Sequence, residues 1–324
     1  MAEMTMAKAL NAGLRRALEA DSKVLLAGED IGKLGGVFRI TEHLQRDFGT
    51  HRVVDTPLAE SGIVGAALGL ALRGYRPVVE IQFDGFVWPA FDQITSQVSR
   101  MRFRSMGRLS VPMVIRIPYG GAIGAIEHHS ESPEAYFTQT PGLIVVSPST
   151  PLDAYWMIQQ AIAMDDPVVF LEPKRRYHEK GEVDLAEPPL PMGEARVVLE
   201  GTDATILAYG PMVKTSVEAA LAASAEGRSL EVIDLRSLSP LDDAAIRASV
   251  EKTGRAIVVH EAARSGGLGA EIAARIQESC FYSLEAPVLR VSGYDLPYPP
   301  SRVEKKYLPD LDRILDAVDR SLAH

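Results

Sequence analysis

The chain has 324 residues, of which 46% are hydrophobic and 24% charged, and a formal net charge of −9. That length holds about two domains at ~150 residues each, and the acid excess argues against a nucleic-acid binder that works by neutralising phosphates. Seven His and a single Cys, Cys280, exclude a disulfide framework and a Cys-based zinc site and fit a reducing compartment. No apolar run reaches the ~18 residues of a membrane span, and Met1 to Met6 has no leader character, so a cytoplasmic protein is expected.

The elements alternate in chain order. Met6, Ala9, Leu10, Gly13, Leu14, Ala17 and Leu18 recur at i, i+3 and i+4 and predict an amphipathic helix over residues 5–19. Val24-Leu25-Leu26-Ala27 reads as a buried strand, Val53-Val54 as a short one. An apolar, small-residue helix follows over Ile63 to Leu72, with Glu60 at its opening. Further strands are expected at 77–83, 112–117, 143–147 and 168–171, with helices at 86–103 and 150–164 between them. Near-continuous apolar strands separated by helices predict a parallel sheet covered on both faces. Residues 182–193 contain Pro188, Pro189 and Pro191, cannot sustain a helix interior, and read as a linker. Alternation then resumes, with strands at 205–209, 230–235, 256–259 and 287–291 and helices at 213–225, 242–252 and 268–279. A closing amphipathic helix spans 308–322, with Leu311, Ile314, Leu315 and Val318 on one face. The expected division is an α/β domain over 1–180, a linker over 181–194 and a smaller α/β domain over 195–324.

Three segments carry candidate chemistry. In Asp55-Thr56-Pro57-Leu58-Ala59-Glu60, a strand ends in a turn and Glu60 stands where a buried helix begins. By itself that is equally a helix-start acid favoured by the helix dipole. In Glu80-Ile81-Gln82-Phe83-Asp84-Gly85-Phe86, polar and aromatic residues follow a strand, at the end where ligands enter open parallel sheets. Phe83, Phe86, Trp88 and Phe91 would by default be core. The third segment runs from Pro118 through glycine-rich Gly120-Gly121 to His128-His129-Ser130-Glu131-Ser132-Pro133-Glu134. It matches neither phosphate-binding glycine pattern. The His pair lacks the neighbouring third ligand of a metal site, so a histidine available for proton transfer is the better reading. No metal ligand is expected on this chain.

These motifs carry a resemblance. Gly28-Glu29-Asp30, Asp55 to Glu60, Glu80-Ile81-Gln82-Phe83, His129 to Glu134, Phe170-Leu171-Glu172-Pro173, Val250 to Arg255 and Leu284 to Val291 resemble, in order, the β subunit of the thiamine-diphosphate-dependent decarboxylase component of 2-oxoacid dehydrogenase complexes. The likeness runs from Ala7 to Leu322. It implies a thiamine pyrimidine-binding α/β domain followed by a smaller transketolase C-terminal-type domain. It also implies that Glu60 hydrogen-bonds the aminopyrimidine N1′, that Leu58 and Gln82 line the same site, that Phe86 packs on the ring, and that His129 is the active-site histidine. His128 receives no role. The cofactor serves such enzymes as an electron sink, while the protein supplies position and electrostatics.

The Gly-Asp-Gly motif that holds diphosphate and Mg²⁺ in thiamine enzymes does not occur here. The resemblance therefore assigns that half of the site to an α subunit, in an α₂β₂ heterotetramer. It further implies docking of the C-terminal domain to a lipoyl acyltransferase core, with Glu285 at an acidic docking position; an ordinary solvated Glu is the plain alternative. Glu80 to Phe83 and Glu172 to Tyr177 resemble the branched-chain 2-oxoacid group most, with pyruvate and acetoin dehydrogenase subunits as alternatives. A self-sufficient transketolase is disfavoured by length and by the missing diphosphate motif. A non-catalytic assembly subunit would be expected to lack Glu60 or His129.

Overall fold

The computed structural model describes residues 1–324 and divides into two units, one comprising residues 1–119 and 136–192, the other 120–135 and 193–324. Strands of the first unit are β1 (Ala2–Thr5), β2 (Val24–Gly28), β3 (Val53–Asp55), β4 (Arg76–Glu80), β5 (Val114–Tyr119), β6 (Ile144–Val146), β7 (Val168–Pro173) and β8 (Lys180–Val183). β2 to β7 pair in the order β3-β2-β4-β5-β7-β6, and every one of these pairings is parallel. β1 and β8 form a separate antiparallel pair that the apolar pattern did not signal.

The helices Met6–Ala20 and Pro151–Ala163 pack on one face of this sheet, where Leu10, Leu14 and Ile158 meet Leu26, Val78 and Phe170. Thr5 caps the first helix at the Lys8 N–H, and Thr150 caps the second at the Asp153 N–H, with Pro151 at its first turn. Such caps satisfy donors that a helix start otherwise leaves open. The helix Glu60–Leu72 covers the opposite face and has no side-chain cap.

Two expectations for this unit changed on the structure. The strand expected at 77–83 ends at Glu80, because Asp84 ion-pairs with Lys174 and pulls 84–86 into a 3₁₀ turn. The helix expected at 86–103 is broken into Val87–Asp92, a π segment Gln93–Val98 and Met101–Arg104. Thr95 Oγ1 and Ser99 Oγ donate to the Phe91 and Thr95 carbonyls four residues back, a back-bonding that loosens the ladder.

The second unit has β9 (Arg196–Leu199), β10 (Ala204–Ala208), β11 (Leu230–Asp234), β12 (Ser237–Ser239), β13 (Ala256–Ala263) and β14 (Leu289–Gly293). Its sheet runs β14-β13-β10-β11-β9, parallel except for β9. The helices Met212–Ser224 and Leu311–Leu322 bury Val213, Ala220, Ile314 and Val318 against Ile206, Val232 and Val259. The closing helix starts at Leu311 rather than 308. Pro309 disfavours a helical residue before it, and Asp310 caps the helix at the Arg313 N–H. Both units have the α/β architecture expected.

Candidate active site

The pyrimidine-site candidates Leu58, Glu60, Gln82 and Phe86 all lie in the first unit, just past the carboxyl ends of β3 and β4. That is the edge where open parallel sheets receive ligands. Glu60 is 5% exposed in the first turn of its helix, and no group of this chain hydrogen-bonds its carboxylate. A largely buried polar group ordinarily has a hydrogen-bond partner. Glu29, at the end of β2, stands beside it. Burial, then Asp30 and Glu60, raise the Glu29 carboxyl above its ordinary pKa, and its Oε2 is buried without a partner. A nearby carboxylate discourages ionisation of the Glu29 carboxyl. Glu29 received no role from the sequence, although it stands directly after a buried strand in Gly28-Glu29-Asp30, one of the motifs that carry the resemblance.

Phe86 is half-buried, and Leu58 is exposed. The Phe86 ring stands edge-on to Phe83, with centroids 6.2 Å apart. Phe83 meets Phe38 at 5.5 Å, and Phe38 meets Tyr177 at 5.0 Å. The Tyr177 hydroxyl donates to Glu172 Oε2 at 2.6 Å. Arg116 then bonds Glu172 twice, at 2.6 and 2.9 Å, and Glu80 at 2.6 Å. Burial raises the Glu80 carboxyl despite Arg116. A row of aromatic rings thus connects the site edge to a buried ionic network, and Lys174 lies 5.7 Å over the Phe83 ring. Of the four aromatics read as core by default, Trp88 is 38% exposed and packs edge-on against Tyr136 at 4.9 Å.

His129 lies in the second unit, within segment 120–135. It ends the 3₁₀ turn Glu127–His129 and is half-buried. Its Nδ1 sits 2.8 Å from the His128 carbonyl. A carbonyl only accepts, so Nδ1 is the donor in this contact. Glu285 is exposed in the same unit but is committed: its carboxylate ion-pairs with Arg255, and its N–H bonds the Gly254 carbonyl at 2.8 Å. It borders a polar cavity of about 300 Å³ shared with Glu251, Lys252 and Ser283. No group of three His, Cys, Asp or Glu side chains is arranged to hold a metal ion.

Residues 2–180 match the family described as transketolase, pyrimidine binding domain, and residues 193–314 match transketolase, C-terminal domain. The pyruvate dehydrogenase E1 component subunit beta of Leifsonia xyli subsp. xyli is 64% identical over 99% of this chain and 95% of its own length. The chain belongs to the β subunits of 2-oxoacid dehydrogenase decarboxylase components, a thiamine-diphosphate-dependent family. The 3-methyl-2-oxobutanoate dehydrogenase subunit beta of Mycobacterium tuberculosis is 56% identical, covering 98% of this chain and 92% of that one. The Bacillus subtilis pyruvate dehydrogenase E1 component subunit beta is 50% identical over 99% of both. Among solved structures, a chain described as split gene transketolase, inactive beta4 tetramer, shares the fold with a TM-score of 0.80 at 23% identity, covering 99% of this chain and 98% of that one.

Proposed function

We propose that this β subunit supplies the pyrimidine half of a thiamine diphosphate site and acts in oxidative decarboxylation of a 2-oxoacid, with acyl transfer to lipoyl groups. The observation that carries this reading is Glu60, 5% exposed with no hydrogen-bond partner in this chain, beside Glu29, a second acid with an orphaned oxygen. A ring nitrogen brought to that edge fits the missing partner. Thiamine diphosphate, when bound, supplies the electron sink for decarboxylation. Glu60 then holds a proton at the ring nitrogen, Phe86 offers an aromatic face, Leu58 and Gln82 line the site, and His129 holds or moves a proton at its Nε2 during acyl transfer.

The missing Gly-Asp-Gly motif supports an α subunit that holds the diphosphate and Mg²⁺, in an α₂β₂ assembly. An apolar cavity of about 430 Å³ beside the Glu60 helix, lined by Leu25, Val54, Ala59, Ile63, Ala66 and Leu70, supports a partner surface there. A lipoyl acyltransferase core is the second partner, with Glu285 as one docking group. We place the assembly in the cytoplasm, with no nucleic-acid or membrane partner. No helix is long and apolar enough to cross a membrane.

Branched-chain 2-oxoacids are the substrate suggested by Glu80 to Phe83 and by Glu172 to Tyr177. Glu80, Glu172 and Tyr177 lie in the buried Arg116 network, which removes them from contact with an acyl chain. The 64% identical relative favours pyruvate as the second reading. Assays of the assembled enzyme on pyruvate, 3-methyl-2-oxobutanoate and acetoin decide between them. The core of the reading is tested by Glu60→Gln in the α-containing assembly. Exchange of the cofactor C2 proton should slow by roughly 10²–10⁴-fold while assembly persists. Exchange at the wild-type rate would remove Glu60 from the site.

A further inference from the structure

We propose that Glu261 and Tyr298 are positioning residues for His129, holding the entry of its loop against the second unit so that the imidazole is presented in one place. The proposal rests on the role given to His129 above.

The loop is closed on itself by the Gly120 N–H, which donates to the Glu131 carbonyl at 2.9 Å. That makes 120–131 a compact surface loop with adjoining ends. Within it Ala122, Ile123, Gly124, Ile126, Glu127 and His128 are exposed, so little apolar burial holds it. A polar clamp holds its entry. The Gly121 N–H donates to Glu261 Oε2 at 3.1 Å, and the Ala122 N–H donates to the Tyr298 hydroxyl at 3.0 Å. Tyr298 in turn donates to Glu304 Oε2 at 3.0 Å. Glu261, Tyr298 and Glu304 are 4%, 7% and 8% exposed.

The glycines show how closely the loop is seated. A Cβ on Gly121 would lie 2.0 Å from the Tyr298 hydroxyl oxygen, and one on Gly120 would lie 2.9 Å from Glu261 Oε2. Gly120 also takes φ +86°, a conformation that favours glycine. At the exit the Tyr209 hydroxyl donates to Glu134 Oε1 at 2.6 Å, and Ser130 is buried. His129 therefore stands on an exposed arc tied down at both ends. Hydrogen bonds to a carboxylate are among the stronger ones available. Proton transfer depends on placement, and a misplacement of about 1 Å can cost ~10²-fold in rate.

The test uses Tyr298→Phe and the milder Glu261→Gln, in the purified chain and in the assembled enzyme. Hydrogen exchange of peptides spanning 120–131 should quicken by about tenfold or more while the rest of the second unit is unchanged. In the assembled enzyme, kcat for lipoyl acylation should fall by about 10–100-fold with KM for the 2-oxoacid within about twofold. Tyr298→Phe combined with His129→Ala should lose no more than His129→Ala alone. Unchanged loop exchange, or additive losses in the double variant, would overturn the proposal while leaving the His129 role standing. Wild-type acylation by His129→Ala would overturn the role and the proposal together. In that case the Glu60 exchange measurement still reports separately on the pyrimidine site.

Discussion

Glu60 and Glu134 are both buried carboxyls, and their neighbours set them apart. Glu60 has no hydrogen-bond partner in this chain, whereas Glu134 accepts the Tyr209 hydroxyl. Burial pushes the Glu134 carboxyl up to about 7; the Tyr209 bond opposes this and Glu261 adds to it. A folded-state pKa above the unfolded value of 4.5 means that the folded state binds the extra proton. The contribution to stability is then full below pH 4.5 and is lost as pH rises through about 7. The span corresponds to about 3 kcal/mol. Glu134→Gln keeps an acceptor for Tyr209 and cannot ionise. Its melting temperature relative to wild type should therefore rise between pH 5 and pH 8. A constant difference across that range would show that Glu134 does not titrate there.

The element that most depends on one contact is the 3₁₀ turn Asp84–Phe86. Asp84 and Lys174 pair with both side chains at 0% exposure, so neither charge has water to fall back on. Removing one partner of such a pair costs about 3–5 kcal/mol, whereas replacing both by apolar groups costs far less. Lys174→Met should lower the melting temperature more than Lys174→Met with Asp84→Leu does. On the role proposed for Phe86, it should also weaken cofactor binding in the assembly, because Phe86 ends the turn that Asp84 fixes. Equal melting temperatures for the single and double variants would argue against the pair as the anchor. The neighbouring helix Glu60–Leu72 makes a different point. It is apolar nearly all round, yet Gly62, Ala66 and Gly69 are exposed. A helix of that composition is ordinarily covered, which fits a partner surface beside Glu60.

For the whole molecule, the half-site proposed above has a direct consequence. The isolated chain with Mg²⁺ should bind thiamine diphosphate no tighter than about 1 μM, near 8 kcal/mol, and the α subunit should tighten binding. Calorimetry with and without the α subunit measures this; submicromolar binding by the chain alone would mean that it holds the diphosphate itself. The docking role proposed for Glu285 needs a variant chosen with its neighbour in view. Glu285→Lys would set a cation against Arg255, its partner, and confuse local repulsion with docking. Glu285→Gln removes the charge alone. It should slow association with a basic binding domain of the acyltransferase and flatten the salt dependence. Unchanged association at low salt would leave Glu285 a surface residue held by Arg255.

The sequence by itself determined the two α/β units and the place of Glu60 at a helix start. Runs such as Val24 to Ala27 and Thr205 to Tyr209, and the stripe Met6, Leu10, Leu14, report burial directly, because apolar periodicity is a local property. The family was equally legible, since its motifs are short and ordered along the chain. What the tertiary structure decided depends on residues far apart in sequence. Asp84 ends β4 early because Lys174, 90 positions on, reaches it. Glu80 and Glu172, read from sequence as marks of substrate type, meet at Arg116 and become buried structure. The loop bearing His129 belongs with the second unit because Glu261 and Tyr298, 140 and 176 positions beyond their partners, close on its backbone. No periodicity encodes such contacts. Each exists only because folding removes water from two groups at once and leaves each as the other's partner.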